Sequence, residues 1–261
     1  MSVRRMGLLG GAFAATVFLT RVRLPQRLYQ GPHPWRWAVP WFPVVGGAIG
    51  VVLAGIWHWS GPLHPLPAAV IVVIASMLLT GALHEDGLAD TADALGGGQS
   101  RDRVFEILKD SRVGSYGALA LVASVLLRVT SLASMQRGGE IALVLSHILG
   151  RTSAVSILTS LPYVTPAEVS RSGGFAGRGW RDGALGWIAT IVMLVAVTRQ
   201  SSLSLFDAVF LLVLTVTLTL ACGIYFRARV GGTTGDFLGA AEQVTECGVL
   251  LGCAVIFGTP E

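Results

Sequence analysis

Apolar stretches alternate with shorter polar segments along most of the chain. Seven of them cover residues 43–59, 66–83, 116–135, 141–161, 184–197, 205–225 and 244–257. Because a membrane-spanning helix needs roughly 20 mostly apolar residues, most of these stretches are long enough to cross a bilayer. The fifth and seventh are short enough to be tilted, re-entrant or partly interfacial. The pattern predicts an all-α, polytopic transmembrane bundle of about six to seven spans, forming a single integral membrane domain over residues 1–261.

A further apolar run lies close to the N-terminus, over residues 6–19, between Arg4 and Arg5 on one side and Arg21 on the other. It superficially resembles a secretory signal, but no clear small-residue cleavage site precedes the next basic patch. We therefore predict a retained N-terminal helix that lies in, or enters, the membrane interface.

The basic residues are unevenly distributed between the two sets of connecting segments. Of the 19 Lys and Arg residues, 15 lie before residue 43 or within 84–115, 162–183 and 226–243. The opposite loops hold only Arg137 and Arg199. Since cytoplasmic loops carry an excess of basic residues, we expect the N-terminus and the three large polar segments to face the cytoplasm, where they could form one site.

Composition supports a membrane protein and argues against nucleic acid as a partner. Hydrophobic residues make up 52% of the chain and charged residues 13%, with a mean hydropathy of +0.66. The net charge is +4, but the basic residues form no cluster with interleaved aromatics. The three cysteines lie in apolar runs without metal-site spacing, so we expect buried packing residues.

Acidic residues are concentrated in the segment 84–117. It holds seven of the chain's 15 acids: Glu85, Asp86, Asp90, Asp93, Asp102, Glu106 and Asp110. At about 100° per residue, a helix would place Asp86, Asp90 and Asp93 within roughly 60° of arc. Three like charges on one face raise one another's pKa unless a cation is present, and oxygen-only ligands favour Mg²⁺, with Mn²⁺ possible. The alternative is an ordinary solvated helix face, which the small intervening residues disfavour.

A basic segment follows the acidic face across a glycine-rich stop. Lys109, Asp110, Ser111 and Arg112 precede two glycines, Gly114 and Gly117. Arg forks match phosphate oxygens, and Lys acts on them as a point charge. An acidic face beside basic groups is the arrangement that phosphoryl transfer requires. The sequence therefore predicts a metal site followed by a phosphate clamp.

A third polar segment, 231–246, repeats this theme on a smaller scale. We predict a loop in which Gly232 and Gly235 approach a phosphate closely. Asp236 and Glu246 would add metal-binding oxygens to those of the aspartate face. Because charge counting places this segment on the same side as 84–117, we expect it to fold over the acidic motif.

Two arginines and one histidine remain open to more than one interpretation. Arg128 and Arg151 fall inside predicted spans, where a charge is costly and is usually paired or lines a cavity. The structural alternative is that each arginine extends its head group to the interface or that the span boundary is misplaced. A functional and a structural role are equally favoured for Arg128, whereas Arg151, after Gly150, is assigned to the site. His84 points roughly opposite to the aspartate face, which favours a supporting role.

Several motifs together resemble one known family. They are H-x-D-G-L-A-D-T-A-D over residues 84–93, E-I-L-K-D-S-R-V-G-S-Y-G over 106–117, F-L-T-R over 18–21, F-P-V-V-G-G over 42–47, G-R at 150–151, L-P-Y over 161–163 and G-G-T-T-G-D-F-L-G-A over 231–240. This set resembles the adenosylcobinamide-GDP ribazoletransferases, also called cobalamin (5′-phosphate) synthases. The similarity extends over nearly the whole chain, and the first motif is long enough to be highly specific.

The resemblance implies a multi-pass enzyme of the bacterial cytoplasmic (inner) membrane, with its active site facing the cytoplasm. Such enzymes join adenosylcobinamide-GDP to α-ribazole or α-ribazole 5′-phosphate and release GMP, with Mg²⁺ as cofactor. Membrane lipid is an expected partner, and a homo-oligomer is possible. Two departures are Ala94, where the family commonly has Gly, and the additional acid Glu85.

Residue roles follow from the motif match and from the charge pattern together. The expected catalytic residues are Asp86, Asp90, Asp93, Lys109, Asp110 and Arg112. The expected substrate-binding residues are Arg21, Ser111, Gly114, Arg151, Gly232, Gly235 and Asp236. The expected metal ligands are Asp86, Asp90, Asp93, Glu85, Asp236 and Glu246. Asp93 or Asp110 is the expected proton acceptor.

Two other functions are considered. A CDP-alcohol phosphatidyltransferase-like enzyme also uses Asp-rich D-G motifs on membrane helices, but its D-G-x-x-A-R pattern is not met because Ala89 is followed by Asp90. A cation or proton transporter would place acids in mid-span, whereas we expect the acids of this chain at the cytoplasmic boundary.

Overall fold

The fold was analysed in a computed structural model that describes residues 3–29, 37–165 and 179–258. Within these ranges the chain forms ten α-helices and two short 3₁₀ turns, Gln26–Leu28 and Val39–Trp41. The helices are α1 (Val3–Leu19), α2 (Phe42–Trp59), α3 (Pro65–Thr80), α4 (Leu83–Gly97), α5 (Arg101–Ile107), α6 (Ser115–Ser134), α7 (Gly139–Ser160), α8 (Trp180–Gln200), α9 (Leu205–Val230) and α10 (Gly235–Phe257). In the described ranges the β-structure amounts to a single bridge between Tyr163 and Thr233. The predicted all-α class is confirmed.

Six helices are long and apolar enough to cross a membrane, namely α2 with its preceding 3₁₀ turn and α6 to α10. The count rises to seven if the bent pair α3 and α4 is taken as one span, which confirms the predicted number. We treat the six as the spans. The stretches predicted to be short, 184–197 and 244–257, belong to helices of 21 and 23 residues. They looked short because an apolar run stops at a charged residue, whereas these two helices continue through Asp182 and Glu242.

The predicted second span, 66–83, ends early at a sharp change of direction. Gly81 and Ala82 both adopt left-handed backbone conformations, with φ of 70° and 56°. Glycine accepts this conformation readily, whereas an alanine does so at a steric cost. After the two residues the chain turns by 90° and α4 begins at Leu83. The break separates the apolar helix α3 from the helix that carries the aspartates.

Helix α7 lies at the centre of the bundle. The buried share of its apolar span is 83%, compared with 22% for α8 and 28% for α9. Helix α7 packs against α2 and α10. The approach of α2 depends on small residues, because a methyl group on Gly50 would lie 2.6 Å from the Cα atom of Val144. Such close backbone contacts are typical of membrane helices, which gain little from apolar burial within lipid.

The N-terminal helix α1 packs beside α2, and the rings of Phe18 and Phe42 stack with their centres 5.7 Å apart. The predicted N-terminal helix is confirmed, while its interfacial position stays a prediction. Immediately after α1, the Arg21 amide donates a hydrogen bond to the Leu79 carbonyl oxygen at 2.7 Å. This contact ties the segment after α1 to the break between α3 and α4. Much of the predicted polar segment 162–183 lies outside the described residues.

Candidate active site

Four aspartates from two helices come together beside the α3–α4 break. Asp86, Asp90 and Asp93 lie on α4, and Asp236 lies in the first turn of α10. Burial, reinforced by the negative charges of the other three aspartates, raises the pKa of Asp90 to about 6. In the part of the chain that the structure describes, no basic side chain forms an ion pair with any of the four. The structure thus brings Asp236 to the acidic face of α4 and leaves the group's charge unbalanced.

A close contact between α4 and α10 produces this grouping. A methyl group on Gly87 would lie 2.8 Å from the carbonyl oxygen of Asp236, so only glycine permits the observed approach. The Thr234 hydroxyl caps α10 by accepting a hydrogen bond from the Phe237 amide at 3.2 Å. Asp236 follows directly, at the helix end where the backbone dipole favours negative charge.

Asp93 has a defined structural partner in addition to its neighbouring carboxylates. Its two oxygens accept hydrogen bonds from the backbone amides of Gly114, at 2.7 Å, and Gly117, at 2.8 Å. These amides belong to the start of α6, for which Gly114 is the N-cap residue. Asp93 therefore caps α6 from another helix. This hydrogen bond gives Gly114 a structural role that requires no bound substrate.

The predicted phosphate clamp is exposed and is linked to the aspartates through this cap. Lys109, Asp110, Ser111 and Arg112 all face solvent. The Arg112 guanidinium binds Asp110 through two nitrogens, Nη2 at 2.6 Å from Oδ2 and Nε at 3.0 Å from Oδ1. These hydrogen bonds lower the pKa of Asp110 to about 2. An Asp110 carboxylate held in this way is a weak proton acceptor, contrary to one of the two expectations for the base.

A cavity of about 720 Å³ opens between the end of α1, the segment that follows it and the α3–α4 break. Its lining includes Arg21, Arg23 and Asp86. Arg21 packs tightly on the break, since a methyl group on Gly81 would lie 2.5 Å from its Nε atom. The predicted substrate-binding Arg21 therefore shares a cavity with Asp86, one of the four aspartates. Sequence reasoning missed Arg23 because, within the basic patch at 21–27, only Arg21 belongs to one of the motifs, F-L-T-R over residues 18–21.

The third polar segment differs from its prediction. Residues 231–246 were expected to form a loop, but α10 begins at Gly235 and runs through the rest of the segment. Gly232 is buried and lies against the Pro162 carbonyl oxygen, while the Thr233 amide donates to that same oxygen at 2.8 Å. Gly232 thus serves close packing with the 162–164 segment, and Gly235 is the first residue of a helix.

A second group of charged residues lies inside the bundle. It consists of Glu85, Glu242, Glu246, Arg128, Arg151, His84 and His147, each no more than 5% exposed. Arg128 Nη1 lies 2.9 Å from Glu85 Oε1 and 3.4 Å from Glu246 Oε1. Arg128 is thus paired inside the bundle, as expected in general for a charge within a span. Glu246 lies well inside α10, contrary to the expectation that the acids lie at the cytoplasmic boundary.

Arg151 is the centre of this buried group. Its Nη1 atom binds Glu242 and lies 3.1 Å from Glu246 Oε2 and 2.6 Å from His147 Nδ1. The ligand atoms of His147, Glu242 and Glu246 are close enough together to hold a metal ion. However, the Arg151 guanidinium contacts all three, so the chain itself supplies the cation.

These contacts correct three residue assignments. Glu85 and Glu246, predicted as metal ligands with the aspartates, instead bind Arg128 in the buried group. Arg151, predicted to bind substrate, is 1% exposed and is held by Glu242 and Glu246. The sequence signal for this group was the pair of arginines in apolar runs, but their partners are distant in sequence. His84 lies in the same buried group, near Glu242. This position agrees with the prediction that His84 points away from the aspartate face.

Comparison with known proteins gives a consistent result over most of the chain. The family described as cobalamin-5-phosphate synthase matches residues 11–254. An adenosylcobinamide-GDP ribazoletransferase from Leptothrix cholodnii is 37% identical over 248 residues, covering 92% of this chain and 93% of the relative. The protein of the same name from Shewanella pealeana is 38% identical over 252 residues, covering 92% and 93%. That from Rhizobium meliloti is 37% identical over 247 residues, covering 90% and 92%.

No solved structure matches this chain. The family match covers the helices that carry both charged groups, including the motif around Asp86 and the start of α10. The resemblance inferred from the motifs is confirmed, and the chain belongs to the cobalamin-5-phosphate synthase family.

Proposed function

We propose that this protein transfers the cobinamide-phosphate part of adenosylcobinamide-GDP to α-ribazole or α-ribazole 5′-phosphate, with release of GMP. The observation that carries the proposal is the group of four aspartates, which have no basic partner among the described residues, next to a cavity that Asp86 shares with Arg21 and Arg23. Carboxylates that can hold a divalent cation, next to guanidinium groups that can bind a phosphate, suit a phosphoryl transfer between phosphate-bearing substrates. The curated relatives are named for this transfer.

Mg²⁺ is the proposed cofactor, with Mn²⁺ as an alternative, because the donor set fits a hard cation. All four groups are carboxylates, and the pKa of Asp90 is raised first by burial and then by the negative charges of the other three, which a cation would offset. Mg²⁺ usually takes one or two protein carboxylates and completes its coordination with water and phosphate oxygens. Asp86 and Asp236, which come from different helices, would hold it. When bound, it would neutralise charge that develops on the diphosphate.

Asp90 is the proposed proton acceptor. A ribose hydroxyl of the acceptor attacks the phosphorus atom on the cobinamide side, and a new P–O bond forms. The bond from that phosphorus to the bridging oxygen breaks, and its electron pair leaves with GMP. The hydroxyl proton passes to a carboxylate oxygen of Asp90, because its pKa of about 6 lies closer to neutrality than the pKa of about 2 of Asp110.

Arg21 and Arg23 are proposed to bind phosphate oxygens, and Asp93 to position the start of α6 beside the carboxylates. Lys109 and Arg112, which face solvent, could reach substrate only at the mouth of the site. The proposed location is the inner membrane, with the site on the cytoplasmic side. This orientation is supported by the basic-residue count of the connecting segments.

Purified protein in lipid vesicles tests the proposal directly. Adenosylcobinamide-GDP and α-ribazole 5′-phosphate are supplied with Mg²⁺, and GMP and the corrinoid product are measured. We expect both products in equal amounts, and neither after chelation of the metal. Asp102→Asn, on the exposed helix α5, is the matched control for substitutions of the site aspartates. A wild-type protein that forms no GMP would overturn the assignment.

A further inference from the structure

The cavity beside the aspartates has an apolar part and a charged part. Val17, Phe18, Leu24 and Tyr29 line the apolar part, and all four belong to the end of α1 or the segment after it. Its volume of about 720 Å³ falls in the range of pockets that enclose a small organic ligand. The cavity therefore suits a ligand of nucleotide size with an apolar portion.

The charged part of the cavity contains Arg21, Arg23 and Asp86. Arg21 is fixed by its backbone hydrogen bond to Leu79 and by its packing on Gly81. Among the described lining residues Asp86 is the one acid, and it belongs to the aspartate group. A phosphate bound by the two arginines would thus lie in the same cavity as the proposed reaction site.

The two substrates of the proposed reaction differ in how well they match this cavity. The corrin macrocycle of adenosylcobinamide-GDP is much larger than a nucleotide, so the cavity could receive only its guanosine part. Guanine presents several hydrogen-bonding groups that need partners when buried, and among the described lining residues the uncharged polar side chains are those of Thr20, Thr80 and Tyr29. α-Ribazole 5′-phosphate joins a largely apolar benzimidazole base to a ribose and a phosphate.

We propose that this cavity binds α-ribazole 5′-phosphate, with its base among Val17, Phe18 and Leu24 and its phosphate on Arg21 and Arg23. The ribose then faces Asp86, so the attacking hydroxyl reaches the aspartate group. The corrinoid substrate approaches from outside the cavity. This inference rests on the proposed function and adds the assignment of one substrate to one place.

The two acceptors, α-ribazole and α-ribazole 5′-phosphate, should respond differently to loss of an arginine in the cavity. α-Ribazole has the same base and ribose as α-ribazole 5′-phosphate but lacks the phosphate. An arginine that binds this phosphate contributes to binding of the phosphorylated acceptor alone. Loss of one charge-assisted hydrogen bond reduces affinity by about tenfold or more.

The test compares steady-state kinetics of Arg23→Ala and Arg27→Ala with the unmodified protein in lipid vesicles. Arg27 lies in the same segment but not in the cavity lining, which makes it a matched control. For Arg23→Ala we expect the KM for α-ribazole 5′-phosphate to rise by about tenfold or more. The KM values for α-ribazole and for adenosylcobinamide-GDP should stay within about twofold, and Arg27→Ala should leave all three unchanged.

The other outcomes are equally informative. If Arg23→Ala raises the KM for adenosylcobinamide-GDP instead, the cavity holds the guanosine diphosphate part and the proposal is overturned, while the proposed function stands. An equal change for both acceptors, or no change, also overturns it. If Arg23→Ala does not fold, Arg23→Gln is measured in its place with the same expectations. Failure of the unmodified protein to release GMP from either acceptor would instead refute the proposed function.

Discussion

The same two helices, α4 and α10, carry two groups of acids that differ in their partners. The aspartate group consists of Asp86, Asp90, Asp93 and Asp236. The glutamate group consists of Glu85, Glu242 and Glu246. Each glutamate lies within ion-pair distance of an arginine inside the bundle. Among the described residues, no aspartate of the first group has such a partner.

The difference shows which acids are available for function. Charges in a membrane interior are costly unless they are paired, and the glutamates satisfy this requirement with Arg128 and Arg151. One of the aspartates, Asp86, lines an open cavity. Burial and the charges of the other three aspartates raise the pKa of Asp90. Unbalanced charge, rather than the local number of acids, therefore distinguishes a candidate cation site from a structural ion-pair cluster.

Removal of a buried arginine should produce the largest effect, on stability. In Arg128→Met, Glu85 and Glu246 lose this partner at a site that is 1% exposed, and loss of one member of a buried pair costs about 3–5 kcal/mol. We expect a much lower unfolding midpoint and a poor yield of folded protein in detergent. The double substitution Arg128→Met with Glu85→Leu should recover part of the loss.

Arg199→Met, at the exposed end of α8, serves as the control for Arg128→Met and should change the midpoint little. An Arg128→Met protein as stable as this control would show that the buried pairs contribute nothing to folding. It would also remove the basis for separating the two groups of acids.

Removal of an aspartate should instead affect activity while stability is retained. In Asp86→Asn the site loses a negative charge beside the cavity, and we expect the rate of GMP release to fall by about 100-fold or more. Because Asp86 is exposed and forms no ion pair with the described residues, the unfolding midpoint should match that of the unmodified protein. Asp102→Asn should change neither quantity. Full activity in Asp86→Asn would exclude this residue as a metal-binding group.

The sequence predicted the aspartate group better than the glutamate group for a physical reason. Asp86, Asp90 and Asp93 are related by helical spacing within one short segment, so their shared face can be calculated from geometry alone. Glu85, Arg128 and Glu246 meet only after three helices have packed. Asp236 was recovered because charge counting placed its segment on the same side of the membrane. No local pattern predicted the left-handed Gly81–Ala82 break, which creates the cavity.

Mg²⁺ should stabilise the protein more at pH 7.5 than at pH 5. The pKa of Asp90 is raised from 3.8 to about 6, so its contribution to stability is fully present below pH 3.8 and is lost as the pH rises through about 6. At pH 7.5 the ionised group is destabilising, and a cation offsets this. A concentration of Mg²⁺ ten times its Kd should then add about 1.4 kcal/mol, measured by thermal unfolding.

At pH 5 protons compete with Mg²⁺ for the same carboxylates, so the same Mg²⁺ concentration should have a smaller effect. Asp90→Asn is the matched variant, and in it the benefit of Mg²⁺ should depend less on pH. Stabilisation by Mg²⁺ that is equal at both pH values would show that the metal binds elsewhere.

The smallest effect should come from Asp93, which belongs to the aspartate group but has backbone partners. In Asp93→Asn one of the two acceptor oxygens for Gly114 and Gly117 is replaced by a nitrogen that cannot accept. Loss of a helix-capping contact of this kind costs about 1 kcal/mol. Ser204→Ala removes the cap of α9, where the Ser204 hydroxyl accepts a hydrogen bond from the Asp207 amide at 3.1 Å. It should cost a similar amount without affecting GMP release. If Asp93→Asn lowers the rate of GMP release more than Ser204→Ala does at equal stability, Asp93 positions the site as well as capping α6. If the two variants are equally active, Asp93 has a structural role only, as the buried glutamates do.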